Sequence, residues 1–107
     1  MRDVRRRYLL FTLHRDGPPV PEKALVSEIR KQLLSLYGEL VVADSKLYLN
    51  EYQQKSGIGI LQCSEKSLHK VIAAAAVIGM IDATSVSFEP RRISGTIRAL
   101  KKKLELT

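Results

Sequence analysis

The chain has 107 residues, a length that accommodates one domain with its own hydrophobic core rather than two. It carries 18 Lys and Arg against 11 Asp and Glu, and no apolar run approaches the roughly 20 residues that span a bilayer. A single cysteine excludes an internal disulfide, and with two isolated histidines it forms no zinc-binding pattern, so we expect an intracellular, cytoplasmic protein.

The hydrophobic pattern predicts seven elements. In chain order we expect a strand, a helix, two strands of a hairpin, a helix, a strand and a last helix, over residues 6–14, 21–38, 45–52, 57–63, 65–78, 82–90 and 94–104. The first helix carries an apolar stripe made of Leu25, Ile29, Leu33 and either Leu36 or Tyr37. Pro90 is expected to close the fourth strand at an edge of the sheet.

The order of the first six elements, βαββαβ, is the split βαβ pattern of ferredoxin-like domains. We therefore predict the α+β class and a single domain over residues 1–107. Its architecture is expected to be a ferredoxin-like (RRM-like) antiparallel sheet of four strands with an extra C-terminal helix. Right-handed connections place strands one and three at the centre and strand four beside strand one.

The excess positive charge lies at the two ends of the chain. Residues 1–7 carry +3, residues 91–103 carry +6, and the remaining 87 residues carry −2. The predicted topology brings the start of strand one, at Arg5, Arg6 and Arg7, beside the end of strand four, at Arg91 and Arg92. Such a patch indicates an anionic partner, most commonly nucleic acid. Two solubilising tails are the alternative.

The last helix has two different faces. At about 100° per residue, Ile97, Leu100 and Leu104 fall on one side, whereas Arg98 and Lys102 fall on the other. We therefore expect the apolar side to dock on the domain and the basic side, flanked by Lys101, to face solvent.

The segment Ser94-Gly95-Thr96 is expected to open this helix. Free backbone N–H groups at a helix start bind phosphate, Gly95 permits close approach, and the two hydroxyls add donors. The alternative is an ordinary cap at Ser94 with an incidental glycine; the surrounding bases favour anion binding.

The third strand indicates how a nucleic acid would be bound. Its segment Lys55-Ser56-Gly57-Ile58-Gly59-Ile60 partly matches the RNA-recognition motif in its glycine spacing. Isoleucines stand where aromatic rings would stack on bases, so we expect phosphates and RNA shape to dominate binding. The isoleucines would then lie under the last helix or under a protein partner.

Three segments resemble ribonuclease P protein component 2, the small protein subunit family of archaeal and eukaryotic ribonuclease P. They are RRYLLFTLH, GILQCSEKSLHKVIAAAAVIG and, most specifically, ISGTIRALKK, and the resemblance covers nearly the whole chain. It implies a ferredoxin-like subunit of a ribonucleoprotein that removes the 5′ leader from precursor tRNA, a hydrolytic endonuclease reaction. The small size suggests an archaeal member. Gln62 departs from the family, since a base is expected there in many relatives.

The resemblance also implies partners. These are ribonuclease P RNA, which performs the hydrolysis with bound magnesium, ribonuclease P protein component 3, other ribonuclease P proteins and, indirectly, precursor tRNA; a homodimer within the complex is compatible with it, and a membrane is not expected. The protein itself is expected to bind no cofactor. The residues expected to contact RNA are Arg5, Arg6, Arg7, Arg91, Arg92, Ser94, Gly95, Thr96, Arg98, Lys101 and Lys102. Part of the protein contact is expected from Leu47, Leu49, Ile58 and Ile60.

No catalytic activity is expected of the isolated chain. His14 has no nucleophile beside it in the sequence, Cys63 suits a small core residue, and the carboxylates form no defensible metal motif. The competing hypothesis is a ferredoxin-like interaction or regulatory module that dimerises through its sheet and binds a small anion.

Overall fold

The computed structural model of the chain describes residues 5–106, with side chains up to residue 103. It contains one antiparallel five-stranded sheet and four α-helices within this range. In chain order the elements are β1 (Arg6–Asp16), α1 (Glu22–Tyr37), α2 (Glu39–Ser45), β2 (Tyr48–Gln53), β3 (Ile58–Ser64), a 3₁₀ turn (Glu65–Ser67), α3 (Leu68–Ala76), β4 (Met80–Ile81), β5 (Thr84–Ser94) and α4 (Ile97–Leu106). None of the helices in the described part of the chain has the length and apolar content needed to cross a membrane.

The strands are arranged in the order β2-β3-β1-β5-β4. The first strand pairs antiparallel with β3 on one side and with β5 on the other, which confirms the predicted neighbours of strand one. The expected number of four strands is wrong, because Met80 and Ile81 pair with the beginning of β5 as a short fifth strand. A turn at Asp82, whose φ of 54° lies in the left-handed region, reverses the chain between them.

The main core lies between one face of the sheet and the helices α1 and α3. Leu9, Phe11 and Leu13 of β1 are no more than 2 % exposed on this face. From α1 the predicted stripe of Leu25, Ile29 and Leu33 packs against them, each at 0 % exposure.

The stripe of α1 does not extend to the end of the helix. Leu36 and Tyr37 are 49 % and 38 % exposed, so their predicted burial is wrong. Gly38, with φ of 90°, ends α1, and the chain then forms the short helix α2, which the sequence analysis left unassigned.

Pro90 does not end the fourth predicted strand, which continues to Ser94. The pairing with β1 shifts register here, since Phe11 lies opposite Pro90 and Leu10 lies opposite Arg92, leaving Arg91 as an extra residue. The N–H of Val86 points away from β1, toward Gly79 O at 3.0 Å. By alternation along an antiparallel strand Pro90 faces the same way, so its missing N–H costs no bond to β1.

The other face of the sheet is covered by α4. Leu100 is fully buried against Leu10 and Ile60, and Ile97 packs at the edge of this small cluster. The predicted docking of the last helix through its apolar side is thus confirmed for Ile97 and Leu100. The side chain of Leu104 lies outside the described residues.

Burial corrects the predicted protein contact. Leu47 and Leu49 belong to the main core at 7 % and 6 % exposure, and Ile60 lies at 0 % beneath α4. These three side chains are not available to a partner, because neighbours within the chain already cover them. Ile58 is half-buried beside the same α4 cluster. The isoleucines were expected under the last helix or under a protein partner, and the structure places them at the last helix.

The glycine spacing of the third strand has a packing cause. A Cβ on Gly59 would lie 2.7 Å from Phe11 Cζ and 2.7 Å from Glu51 O. Gly57, at φ of 76°, accepts a hydrogen bond from Leu13 N at 2.7 Å, and a Cβ there would overlap Leu13 O. Both positions exclude larger residues on steric grounds.

Candidate nucleic-acid interface

The start of β1 and the end of β5 lie side by side. Tyr8 pairs with Ser94 and Leu10 pairs with Arg92, so the residue before Tyr8 reaches the position of Gly95. Indeed a Cβ built on Gly95 would lie 3.5 Å from Arg7 Nη1. The predicted meeting of the two basic segments, more than 80 residues apart in sequence, is therefore confirmed. We call the bases at this end of the molecule the terminal basic patch: Arg5, Arg6, Arg7, Arg91, Arg92, Arg98, Lys101 and Lys102.

Backbone and side-chain bonds hold the start of β1 in place. Arg5 O accepts a hydrogen bond from Glu65 N at 2.8 Å. The Arg7 guanidinium lies 3.3 Å from the Glu65 carboxylate and donates to Arg6 O at 3.0 Å. Arg7 is thus partly engaged within the protein, whereas the side chains of Arg5 and Arg6 are exposed.

The two arginines of β5 differ in their contacts. Arg91 Nη1 donates to Thr12 Oγ1 at 3.2 Å, which orients this side chain across the sheet from the bulge. Arg92 is exposed opposite Leu10, on the sheet face that carries α4. In a regular strand Arg91 and Arg92 would point to opposite faces of the sheet. The bulge therefore adds Arg91 as a second exposed base on the face that carries α4.

The Ser94-Gly95-Thr96 segment is a connection rather than the first turn of a helix. Ser94 is the last residue of β5, and α4 begins at Ile97, so the predicted helix start is three residues too early. Ser94 Oγ accepts a hydrogen bond from Thr96 N at 3.1 Å, so the Thr96 N–H already has a partner. The next N–H groups, from Ile97 onward, open α4 and have no carbonyl partners within its first turn.

A cavity of about 410 Å³ opens at this connection. It is lined by Tyr8, Gly95, Thr96, Ile97 and Arg98. Tyr8 is the residue that the sequence analysis missed. The sequence shows that Tyr8 lies two residues before Leu10 and so on the same face of the strand. Only the position of α4 makes that face the floor of a cavity.

The exposed side of α4 carries the remaining bases. Arg98 and Lys102 face solvent, as predicted, and Lys103 is exposed beside them. Lys101 reaches back to β2, where its Nζ lies 3.0 Å from Glu51 Oε1. The helix thus presents a basic outer surface while one of its lysines is tied to the sheet.

The groups considered for catalysis lie apart from this patch or are inert. Cys63 is 1 % exposed, and burial raises the pKa of its thiol to about 11, so its predicted role as a core residue is confirmed. His14 Nε2 lies 2.7 Å from Glu89 Oε1, and this hydrogen bond lowers the pKa of the Glu89 carboxyl. Among residues 5–103, no three His, Cys, Asp or Glu side chains are grouped to hold a metal ion.

Comparison with known proteins gives consistent matches. The family model of the Rpp14/Pop5 family matches residues 7–105. The chain is 29 % identical to ribonuclease P protein component 2 of Methanosphaerula palustris (94 % of this chain, 62 % of the relative) and of Aeropyrum pernix (91 % and 80 %). It is also 29 % identical to the ribonuclease P/MRP protein subunit POP5 of Saccharomyces cerevisiae, over 92 % of this chain and 60 % of the relative.

The fold matches a solved structure as well. A chain in the cryo-EM structure of yeast ribonuclease MRP aligns with a TM-score of 0.66 and 7 % sequence identity, over 98 % of this chain and 92 % of that one. At this identity the match concerns the fold alone. The chain spans about three fifths of the length of the Methanosphaerula and yeast relatives.

Proposed function

Because the chain belongs to the Rpp14/Pop5 family, we propose that it is a protein subunit of ribonuclease P that binds the catalytic RNA through the terminal basic patch. The observation that carries the proposal is that the start of β1 lies beside the end of β5, which leads directly into the basic helix α4. Exposed bases there would neutralise phosphates and release counterions. The chemistry, removal of the 5′ leader from precursor tRNA, would belong to the RNA and its magnesium, with no cofactor held by this chain.

The finer fold assignment is part of the proposal. The order β2-β3-β1-β5 is the one expected of a ferredoxin-like βαββαβ chain, and β4 and α2 would be additions to it. We extend the proposal to an archaeal source and to a cytoplasmic location, the latter in line with the lone, buried cysteine.

Protein partners would bind on the opposite side, over the helical layer. Large apolar side chains are exposed there around the junction of α1 and α2, at Leu34, Leu36, Tyr37 and Leu40, the last of them at 82 %. Grouped exposed apolar side chains are typical of protein interfaces. We propose that other ribonuclease P proteins, with protein component 3 first among them, cover this region and not the buried residues of the hairpin.

The alternative function, a regulatory module that binds a small anion, predicts different experimental results from a subunit of ribonuclease P. A subunit of ribonuclease P should co-purify with RNA that high salt removes, and adding it should raise precursor tRNA cleavage by the reconstituted RNA. A regulatory module that binds a small anion should do neither. The breadth of the basic surface, which runs from β1 across β5 to α4, favours a polyanion over a single small anion.

A charge-reversal pair tests the interface. Arg98→Glu with Lys102→Glu should weaken binding to ribonuclease P RNA and reduce the slope of log K against log salt by about 2, because two phosphate contacts are lost. The matched control is Lys23→Glu with Lys31→Glu on α1, which changes the net charge equally on the helical layer. Both variants should keep the circular dichroism of the parent.

The outcome separates local contact from net charge. If both double variants weaken RNA binding equally, the RNA responds only to the total charge of the protein. The terminal basic patch would then not be the RNA interface. Gly95→Ala sharpens the result, since a Cβ there meets only Arg7 at 3.5 Å and the fold should tolerate it. Weaker RNA binding by this variant at unchanged stability would indicate close approach of a phosphate.

A further inference from the structure

The cavity at the start of α4 has an aromatic wall that phosphate binding does not require. Tyr8 is half-buried, packs on the small cluster of Leu10, Ile60 and Leu100, and faces the cavity together with Arg98. The apolar cluster holds the phenol ring from behind, because it fills the space between the strand and α4. The ring therefore has apolar neighbours within the chain on one side.

Polar residues also line the cavity. Besides Ile97 these are Arg98, whose side chain ends in a planar guanidinium, and Gly95 and Thr96 of the connection before α4. Gln62 of β3 pairs with Tyr8 but does not line the cavity, and its Oε1 accepts a hydrogen bond from Asn50 Nδ2 at 3.2 Å. The lining of the cavity thus combines one aromatic residue with one arginine.

This combination suits a nucleobase better than a phosphate alone. A base stacks on aromatic rings and on guanidinium planes, whereas a phosphate gains nothing from a phenol face. The volume of about 410 Å³ lies within the range of about 300–1,000 Å³ found for small-molecule sites and leaves room for more than an anion. Bases inside a continuous duplex are paired and stacked, so only an unpaired nucleotide could enter.

We propose that this cavity binds one unpaired nucleotide of the RNA, with its base stacked between Tyr8 and Arg98. The inference rests on the proposed function and narrows it, because it names a bulged or looped nucleotide as the feature recognised at the terminal basic patch. It also revises the expectation that this sheet binds RNA without ring stacking. The rings are missing from β3, at Ile58 and Ile60, but β1 supplies one beside the start of α4.

A pair of substitutions at Tyr8 tests the stacking. Tyr8→Leu keeps apolar bulk against the cluster but removes the ring, and it should weaken binding to ribonuclease P RNA by about 5- to 150-fold. The salt slope should stay unchanged, because no phosphate contact is lost. Tyr8→Phe keeps the ring and should bind within about twofold of the parent. If the parent binds the RNA and Tyr8→Leu binds equally well, the nucleotide site is refuted while the proposed function stands; if the parent does not bind, both fall.

A spectroscopic reporter covers the case in which Tyr8→Leu fails to fold. The chain contains no tryptophan, so Tyr8→Trp introduces a single indole at the cavity. Its fluorescence should be quenched by ribonuclease P RNA and by a single-stranded oligonucleotide, and much less by a blunt-ended duplex of the same length. Absence of quenching by ribonuclease P RNA or by the single-stranded oligonucleotide, or equal quenching by the duplex, would overturn the inference.

Discussion

The two faces of the sheet are built in different ways. Among residues 5–103, the face under α1 and α3 holds a cluster of eighteen buried residues, whereas the face under α4 holds three. The first face buries its apolar side chains against two amphipathic helices and carries the bulk of the hydrophobic stabilisation. The second is covered only in part, and the area around α4 is occupied by bases, a tyrosine and hydroxyl groups.

The difference shows how one sheet can serve both stability and binding. The densely packed face can hold the strands in register without help from the other. Bases clustered on the sparsely covered face stay solvated, at the cost of mutual repulsion, and an RNA would relieve that repulsion. If the two faces are separable, variants of each face should differ in their effects on unfolding and on RNA binding.

Leucine truncation on each face should give unequal results. Leu33→Ala on the main face and Leu100→Ala under α4 both remove a side chain of 0 % exposure. We expect Leu33→Ala to lower the free energy of unfolding of the whole domain by about 4 kcal/mol, and Leu100→Ala by about 2 kcal/mol, since the smaller cluster can collapse or open. Urea denaturation measures both values.

The second part of this prediction concerns α4. Leu100→Ala should accelerate amide hydrogen exchange in α4 while β1 and β3 stay protected, and it should weaken RNA binding because Arg98 and Lys102 lose their fixed positions. Loss of protection throughout the sheet in this variant would show that the two faces form one cooperative core.

The buried thiol gives the main face a pH dependence. In the folded protein the pKa of Cys63 is about 11, against an ordinary value of 9.0, so between these values the unfolded chain binds fewer protons. Stability contributed by this group is therefore present below pH 9 and falls as the pH rises toward 11, by about 2–3 kcal/mol in total. Cys63→Ala should lack this component. As the pH rises from 9 to 11, the free energy of unfolding of the parent should therefore fall by that amount more than the free energy of unfolding of the variant. Parallel profiles would contradict the burial of the thiol.

The ion pair between α4 and β2 should have the smallest effect. Lys101 and Glu51 are 48 % and 41 % exposed, and such pairs contribute about 0.2–1 kcal/mol. Glu51→Gln should thus leave the urea midpoint nearly unchanged but strengthen RNA binding a few-fold, because it removes an acid and releases Lys101 toward phosphates. Lys101→Gln is the matched change and should weaken binding instead. A large loss of stability in either variant would mean that this pair, and not Leu100, holds α4 in place.

Local pattern allowed much of the architecture to be predicted. The apolar run of β1 predicted a strand, and the spacing of Leu25, Ile29 and Leu33 predicted the buried stripe of a helix; both predictions are confirmed. The two-sided character of α4, with Leu100 buried and Arg98 exposed, follows from the same kind of reasoning. The expectation for β5 failed at Pro90, because a bulge and an outward-facing nitrogen, neither visible locally, admit proline there.

The candidate site was only partly predictable. The charged residues of the site can be identified in the sequence. The βαββαβ order was enough to predict that Arg7 lies beside the end of β5. The roles of Leu47, Leu49 and Ile60 were misassigned, since an apolar residue in a hairpin looks the same whether the chain itself or another protein covers it.

The sequence alone thus determined the helices and strands other than α2 and β4, the charge at each end and the family, because these depend on residue type and on neighbours within one or two turns. Tertiary structure decided which apolar side chains are buried, that β5 continues past Pro90, and that Tyr8 borders a cavity with Arg98. Those features depend on which element lies over which, and that is set by the packing of surfaces contributed by residues far apart in the chain.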